Sequence, residues 1–248
     1  MNVGTKSERR FVELAELRLD SDTEAKSIRG YAAVFDAMSQ PLFGFREIIR
    51  KGAFKKTIKD GDIRALWNHD PNYVLGRKSA RTLRLEEDDK GLLSRIFPPD
   101  TQWAKDLMTS IERGDVSQMS FGFRTVKDHW LPPGDDGLPV RELLSCQLFD
   151  VSPVTYPAYP QTEVHVRALM DAVLWKMQQG SVGKEEREAM ALALENVRTS
   201  VLEEQEEPGQ PHSQENQSAS REPGQPHSEE RQRTLRERRK RLFELVTS

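Results

Sequence analysis

The chain has a single cysteine, Cys146, among its 248 residues. That excludes an internal disulfide and fits a reducing compartment. Long apolar runs are missing too, so nothing reads as a membrane span. The opening MNVGTKSERR lacks the apolar core of a secretion signal. Hydrophobic residues are sparse at 36%, aromatics make up 7%, and 31% of the chain is charged. With a mean hydropathy of −0.71, the whole chain cannot bury itself in one core, and part of it is expected to be solvated tail. Neither sign of charge dominates. The formal net charge of −3 carries no overall signature of nucleic-acid binding. These absences together predict a cytosolic protein.

The usual metal patterns are absent as well. There is no HExxH, no CxxC and no closely spaced histidine pair among the five histidines 69, 129, 165, 212 and 227. A catalytic metal needs about three converging protein ligands, so no metal and no cofactor is expected.

What is present divides the chain. Residues 9 to about 166 hold most of the aromatics and many short strand-like runs between turn residues. IRGYAAVF (28–35), FREIIR (45–50), RTLRLEE (81–87) and GLLSRIF (91–97) are the clearest, with EDDKG (87–91) as the hairpin turn between the last two. One helix interrupts them. Asp100 or Thr101 caps it, Trp103, Leu107, Met108 and Ile111 sit at helical spacing, and Gly114 stops it. A second strand-rich block follows, VSQMSFGFRTV and PVRELLSCQLFDVSPVTYPAY, separated by the surface loop LPPGDDGLP. After Arg167 the composition shifts to two helical stretches broken at Gly180 to Gly183. Then comes a polar stretch in which EPGQPHS at 207–213 recurs at 222–228, a composition that predicts disorder. Residues 231–241 hold seven basic residues and one acidic one. They read as a solvated helix face or as an electrostatic docking segment. The expected layout is therefore a domain over 1–167, a helical extension over 168–202, a disordered linker over 203–230 and a basic helix over 231–248.

Three stretches carry side chains that could do chemistry. ALWNHDPNYVLGR (65–77) sets His69 among aromatic and aliphatic residues. In VSQMSFGFRTV, Met119, Phe121 and Phe123 alternate with Ser120, Gly122 and Arg124. On a strand Ser120 would then lie on the face away from the apolar residues, beside a glycine that leaves space. The plainer reading is a serine on the solvent face of an edge strand. In LLSCQLFDVSPV, Leu144, Cys146, Leu148 and Asp150 share one alternation, so Asp150 continues an apolar face. An ionised carboxylate there is costly unless paired, and a histidine is a natural partner. A carboxylate that merely caps a strand end is the competing reading, with Glu142 in reserve on the same face. Cys146 is a poor rival nucleophile, since a buried cysteine is usually inert. An esterase is disfavoured because QMSFG lacks the first glycine of a GxSxG elbow.

GYAAVFD, GAFKKTI, NHD, LGR, DKGL, RGDVSQMSFGF and DVSPVTYPAY occur in this order between residues 28 and 167. Together they resemble the tailed-phage prohead maturation proteases, serine proteases that digest scaffold inside the procapsid. The resemblance implies an α+β fold, mainly a β-barrel wrapped by helices as in herpesvirus assemblin, here with a helical and disordered C-terminal extension. It implies His69 as base, Ser120 as nucleophile and Asp150 as the acidic member. Herpesvirus relatives use a second histidine, which keeps His129 open for that third place, with Glu142 still the reserve carboxylate. It further implies scaffold or major capsid protein, and the enzyme itself, as substrates, and action in the host cytoplasm inside the procapsid. A homo-oligomer is compatible; a membrane or nucleic-acid partner is not expected. The alternative is a scaffold- or capsid-binding assembly module on the same fold without activity.

Overall fold

A computed structural model describes residues 8–12, 16–20, 26–42, 44–156, 173, 176–177 and 182–206. The fold is α+β and mostly strands, in two sheets. The first contains β1 (Glu8–Val12), β4 (Arg46–Ile49), β5 (Arg64–Trp67), β6 (Asp70–Arg77), β9 (Gln118–Leu131) and β10 (Val140–Val154). Its order is β1-β9-β10-β5-β6, with β4 also on β10. The second is β2 (Arg18–Asp20), β3 (Ser27–Val34), β7 (Leu83–Glu87) and β8 (Gly91–Ile96), in the order β2-β3-β8-β7. Among the described residues neither sheet closes on itself.

β10 organises the first sheet. One edge pairs antiparallel with β9 along almost its whole length. The other edge takes β4 in parallel near its start and β5 in parallel near its end. β6 lies at the sheet's edge, which is where a strand tolerates Pro71, since proline has no N–H to give a ladder. Phe54, Phe121 and Phe123 pack with Ile28, Leu92, Ile96 and Leu107 in a core shared by both sheets. Phe54 meets Phe121 edge-on at 5.5 Å between ring centroids.

Three helices are described. α1 (Lys55–Asp60) is a short turn of helix whose Thr57 hydroxyl accepts the Leu148 N–H at 3.0 Å. α2 (Gln102–Arg113) buries Ala104, Leu107 and Ile111 and ends at Gly114, whose φ of 84° is the left-handed conformation a helix C-terminus favours. α3 (Lys184–Glu206) buries Ala189, Met190, Ala193, Leu194 and Val197. The chain divides into two compact units, Met1–Val201 and Leu202–Ser248. Of the second, only the end of α3 is described.

The four expected strands and the 87–91 turn are found, the ends shifted by a residue or two. In the turn, one Asp88 carboxylate oxygen accepts the N–H groups of Lys90 and Gly91 at 2.8 and 2.9 Å. The single expected helix of the domain is α2, but α1 accompanies it. The helix expected over 168–180 falls mostly outside the described residues, with Val173, Lys176 and Met177 helical. Residues 203–206, expected to open the disordered linker, instead end α3. The rest of the linker, the basic C-terminal stretch, His165, His212 and His227 lie outside the described residues.

Candidate active site

His69 sits at the tip of the β5–β6 hairpin. Trp67 pairs with Asp70, so Asn68 and His69 form a two-residue connection. Their φ angles are 54° and 58°. Both central residues of a type I′ hairpin turn need positive φ, a condition Gly meets without strain and His does not. A strained non-glycine residue persists only where its surroundings hold it. Here they do. The Asn68 side-chain oxygen accepts the Thr155 N–H at 2.9 Å, and the Asn68 N–H donates to the Pro153 carbonyl at 3.0 Å. The turn is thereby pinned to the end of β10, and the imidazole lies over β9 and β10.

Ser120 and Asp150 come from those two strands. Ser120 is paired with Ser152, and Gly122 with Asp150, so all four face the same side. Strict alternation from Leu148 would have put Asp150 on the apolar side. Instead, the register shifts between Leu148, opposite Phe123, and Asp150, opposite Gly122. This bulge turns the carboxylate away from the core and toward the serine, a known use of bulges near reactive groups. The expectation that Asp150 continues the apolar face is corrected accordingly. A second shift near Leu143 and Ser145 makes Leu143, not Leu144, the core residue. Nor does Gly122 leave open space. A Cβ there would lie 2.3 Å from Asp150 Oδ2, so the glycine's missing side chain is the room the carboxylate occupies.

These elements make one chain of contacts. His69 Nε2 is 2.6 Å from Ser120 Oγ, and His69 Nδ1 is 2.5 Å from Asp150 Oδ1. A carboxylate at Nδ1 keeps the proton there and leaves Nε2 bare, ready to accept from the serine hydroxyl. Asp150 Oδ1 also accepts the Ser152 hydroxyl at 2.8 Å. Ser152 escaped the sequence reading, although its place two residues after Asp150 puts it on the same strand face. Ser120 and Ser152 have no exposed surface, and the His69 side chain is 3% exposed.

The other candidates lie elsewhere. His129 and Glu142 are paired across β9 and β10 at the far end of the hairpin. From Ser120 to His129 the strand covers roughly 30 Å. His129 Nδ1 is 3.3 Å from Glu142, whose other oxygen is held by Arg50. Arg124 donates to Gln147. Cys146 is buried, and burial pushes its thiol pKa up, as for an unreactive cysteine. Among the described residues no cluster of His, Cys, Asp and Glu could hold a metal, and no helix is long and apolar enough to cross a membrane.

Residues 13–174, which contain the whole arrangement, match the caudovirus prohead serine protease family. The chain belongs to that family. The prohead protease of Enterobacteria phage HK97 is 27% identical over 164 residues, which cover 64% of this chain and 67% of the relative. The solved structure of the bacteriophage T4 capsid assembly protease is a remote likeness, 12% identical with a TM-score of 0.37, covering 59% of this chain and 98% of that one.

Proposed function

We propose that this prohead protease family member is a serine endopeptidase of procapsid maturation, with Ser120 as nucleophile, His69 as general base and Asp150 as the group that orients it. One observation carries the reading: a single imidazole bridges a serine hydroxyl at 2.6 Å and a carboxylate at 2.5 Å. As Ser120 Oγ attacks a peptide carbonyl, its proton passes to His69 Nε2. The imidazolium is stabilised by Asp150, whose charge is steadied by the Ser152 hydroxyl. His69 then returns the proton to the leaving amine, and water repeats the sequence on the acyl-enzyme. The mechanism needs no cofactor.

The family and the HK97 relative's name support a place in procapsid maturation. Within it, the proposed substrates are scaffold or major capsid protein and the enzyme itself, inside the procapsid in the host. A self-associating form is compatible with this. The proposal extends to the assemblin-like barrel, whose walls would be the two sheets; packing of β3 against both β1 and β9 supports it. It also retains the boundaries at 167, 202 and 230, with the linker and basic tail serving as tether and address.

The non-catalytic alternative, an assembly module on this fold, is favoured by one fact: Ser120 is wholly buried. Co-expression with the cognate capsid protein separates the two. Cleaved products, weighed by mass spectrometry, are expected with the wild type and not with Ser120→Ala. Identical intact masses in both would favour the assembly module.

A further inference from the structure

The strand that buries Ser120 lies outside the catalytic family match. β1 covers Glu8–Val12, whereas the match starts at residue 13. β1 lies antiparallel on the edge of β9, with Phe11 opposite Ser120 and Arg10 opposite Phe121. The Arg10 carbonyl oxygen is 2.8 Å from Ser120 Oγ. The hydroxyl has one proton and two acceptors in reach, this carbonyl and His69 Nε2. A peptide strand on a free sheet edge, its carbonyl against the serine, is the arrangement an extended substrate would take.

The side chains of β1 are held as firmly as its backbone. Glu8 and Arg10 share one face and enter a charged cleft made by β4, β9 and β10. The Arg10 guanidinium donates to both Glu47 oxygens, at 2.8 and 3.0 Å, and lies over the Phe123 ring. Glu8 accepts from Arg141 at 2.8 Å and from the Thr125 hydroxyl at 2.7 Å. Burial opposes ionisation of Glu8, but the charges of Arg141 and Arg10 outweigh it and hold its pKa at about 2. The cleft does not depend on β1 for its own balance. Arg141 keeps Asp128 at 2.8 Å and Glu47 at 3.4 Å, so removing β1 strands no ion. A pair of fixed, opposite, buried charges that an incoming strand can engage is a selectivity device, since a strand with the wrong charges is repelled by them.

We propose that β1 occupies the substrate edge of β9, and that Glu47 and Arg141 are the residues that select an extended peptide. Glu47 reads a basic residue whose carbonyl faces Ser120; Arg141 reads an acidic residue two positions before it. The substrate class is a strand of the form acid-x-base, and β1 with ERR is the chain's own copy of it. This rests on the assignment of Ser120 as nucleophile.

The test compares the full-length wild type with Arg10→Glu, which sets a carboxylate against Glu47, and with Glu8→Lys, which sets an ammonium against Arg141. Both should loosen β1 without touching the reactive groups; circular dichroism checks the fold. Labelling of Ser120 by a fluorophosphonate should be roughly tenfold or more faster in either variant, because each puts like charges together in a buried cleft. With β1 loosened, a peptide containing ERRFV should be hydrolysed about tenfold better than one of the same composition containing RREFV. Equal labelling in all three proteins overturns the occupied edge and leaves Ser120 as nucleophile. Faster labelling with equal or reversed peptide preference overturns Glu47 and Arg141 as selectors. No labelling in any of three folded proteins overturns the nucleophile, and this inference with it.

Discussion

The β9–β10 hairpin carries a histidine against a carboxylate at each end, and the two ends differ in almost everything else. His69 comes from another hairpin, is 3% exposed at its side chain and lies 2.5 Å from Asp150. His129 belongs to β9 itself, is 46% exposed at its side chain and lies 3.3 Å from Glu142. Among the described residues no ion pair joins Asp150 to a cation other than a protonated His69, so its charge is directed at the imidazole. Glu142 shares its charge with Arg50. Above all, His69 has a serine at its second nitrogen, and no hydrogen bond joins His129 to a hydroxyl among the described residues. The comparison teaches that a His–carboxylate pair is only an ion-pair motif. Burial, a carboxylate not shared with an arginine and a hydroxyl at the other nitrogen set the His69 pair apart and support the catalytic role proposed for it.

The largest contrast should come from removing the proposed nucleophile or the proposed base. Ser120→Ala and His69→Ala are each expected to lower peptide hydrolysis by about 10⁴-fold or more, as in other enzymes where these groups act as a unit. His129→Ala should keep hydrolysis within about twofold of wild type, because its side chain is exposed and far from the serine. Steady-state hydrolysis of one peptide by all three variants checks this. A dead His129→Ala with an active His69→Ala would reverse the assignment of the two ends.

The carboxylates sharpen the same contrast. Asp150→Asn should cost roughly 10²- to 10⁴-fold in rate, since the imidazole loses the charge that fixes its tautomer and stabilises its protonated form. Glu142→Gln should leave the rate unchanged. Circular dichroism would confirm that both remain folded, so that a rate loss in the first is not mistaken for unfolding.

Much of this was legible in the sequence, and the exceptions have physical causes. The alternation around Ser120 and the NHD and DVS motifs point to the residues that the structure brings together. The faces were less legible. Period two assigns Asp150 to the core, and only the bulge after Leu148 overturns it, a feature set by pairing with β9 rather than by local composition. The turn at His69 was illegible for a similar reason: Asn68-His69 lacks the glycine that announces such a turn, and contacts from β10 supply what the glycine would have. β1 gives no strand pattern, because three of its five residues are charged. The groups that make the burial of Glu8 and Arg10 tolerable, Arg141 and Glu47, lie far along the chain. The short α1 offers too few residues for a periodic signal.

Gly122 tests whether the geometry at the site end is as tight as the contrast requires. Gly122→Ala would press a methyl carbon against Asp150 Oδ2, closer than the two atoms can approach. The strand conformation itself accepts alanine, so the effect should fall on the carboxylate. A displacement of about 1 Å in a positioning group can cost on the order of 10²-fold. The expected result is a loss of kcat of roughly ten- to a hundredfold with little change in KM. A fully active Gly122→Ala would show that Asp150 tolerates displacement and would weaken its role as the orienting group.

The smallest effect is expected at the far end, and it concerns stability rather than rate. Burial raises the pKa of Glu142, but hydrogen bonds from Arg50 and His129 and their charges pull it below the ordinary carboxylate value. A carboxyl whose folded-state pKa is depressed favours the fold while ionised. That contribution is fully present above the unfolded value of about 4.3. It is lost as pH falls through the lower, folded-state value. Because Arg50 and His129 are both more than a third exposed, water screens the pair and the contribution should be about 1 kcal/mol or less. Denaturant melts of wild type and Glu142→Gln should therefore differ by that small amount at neutral pH. The two should converge as the pH is lowered through the carboxylate range. The rates of the two proteins should coincide at neutral pH, where this end of the hairpin acts only on the fold. A gap in stability that persists unchanged at pH 2 would mean that Glu142 acts through packing rather than charge. A rate that fell with Glu142→Gln while stability held would tie the far end to catalysis and dissolve the distinction between the two histidines.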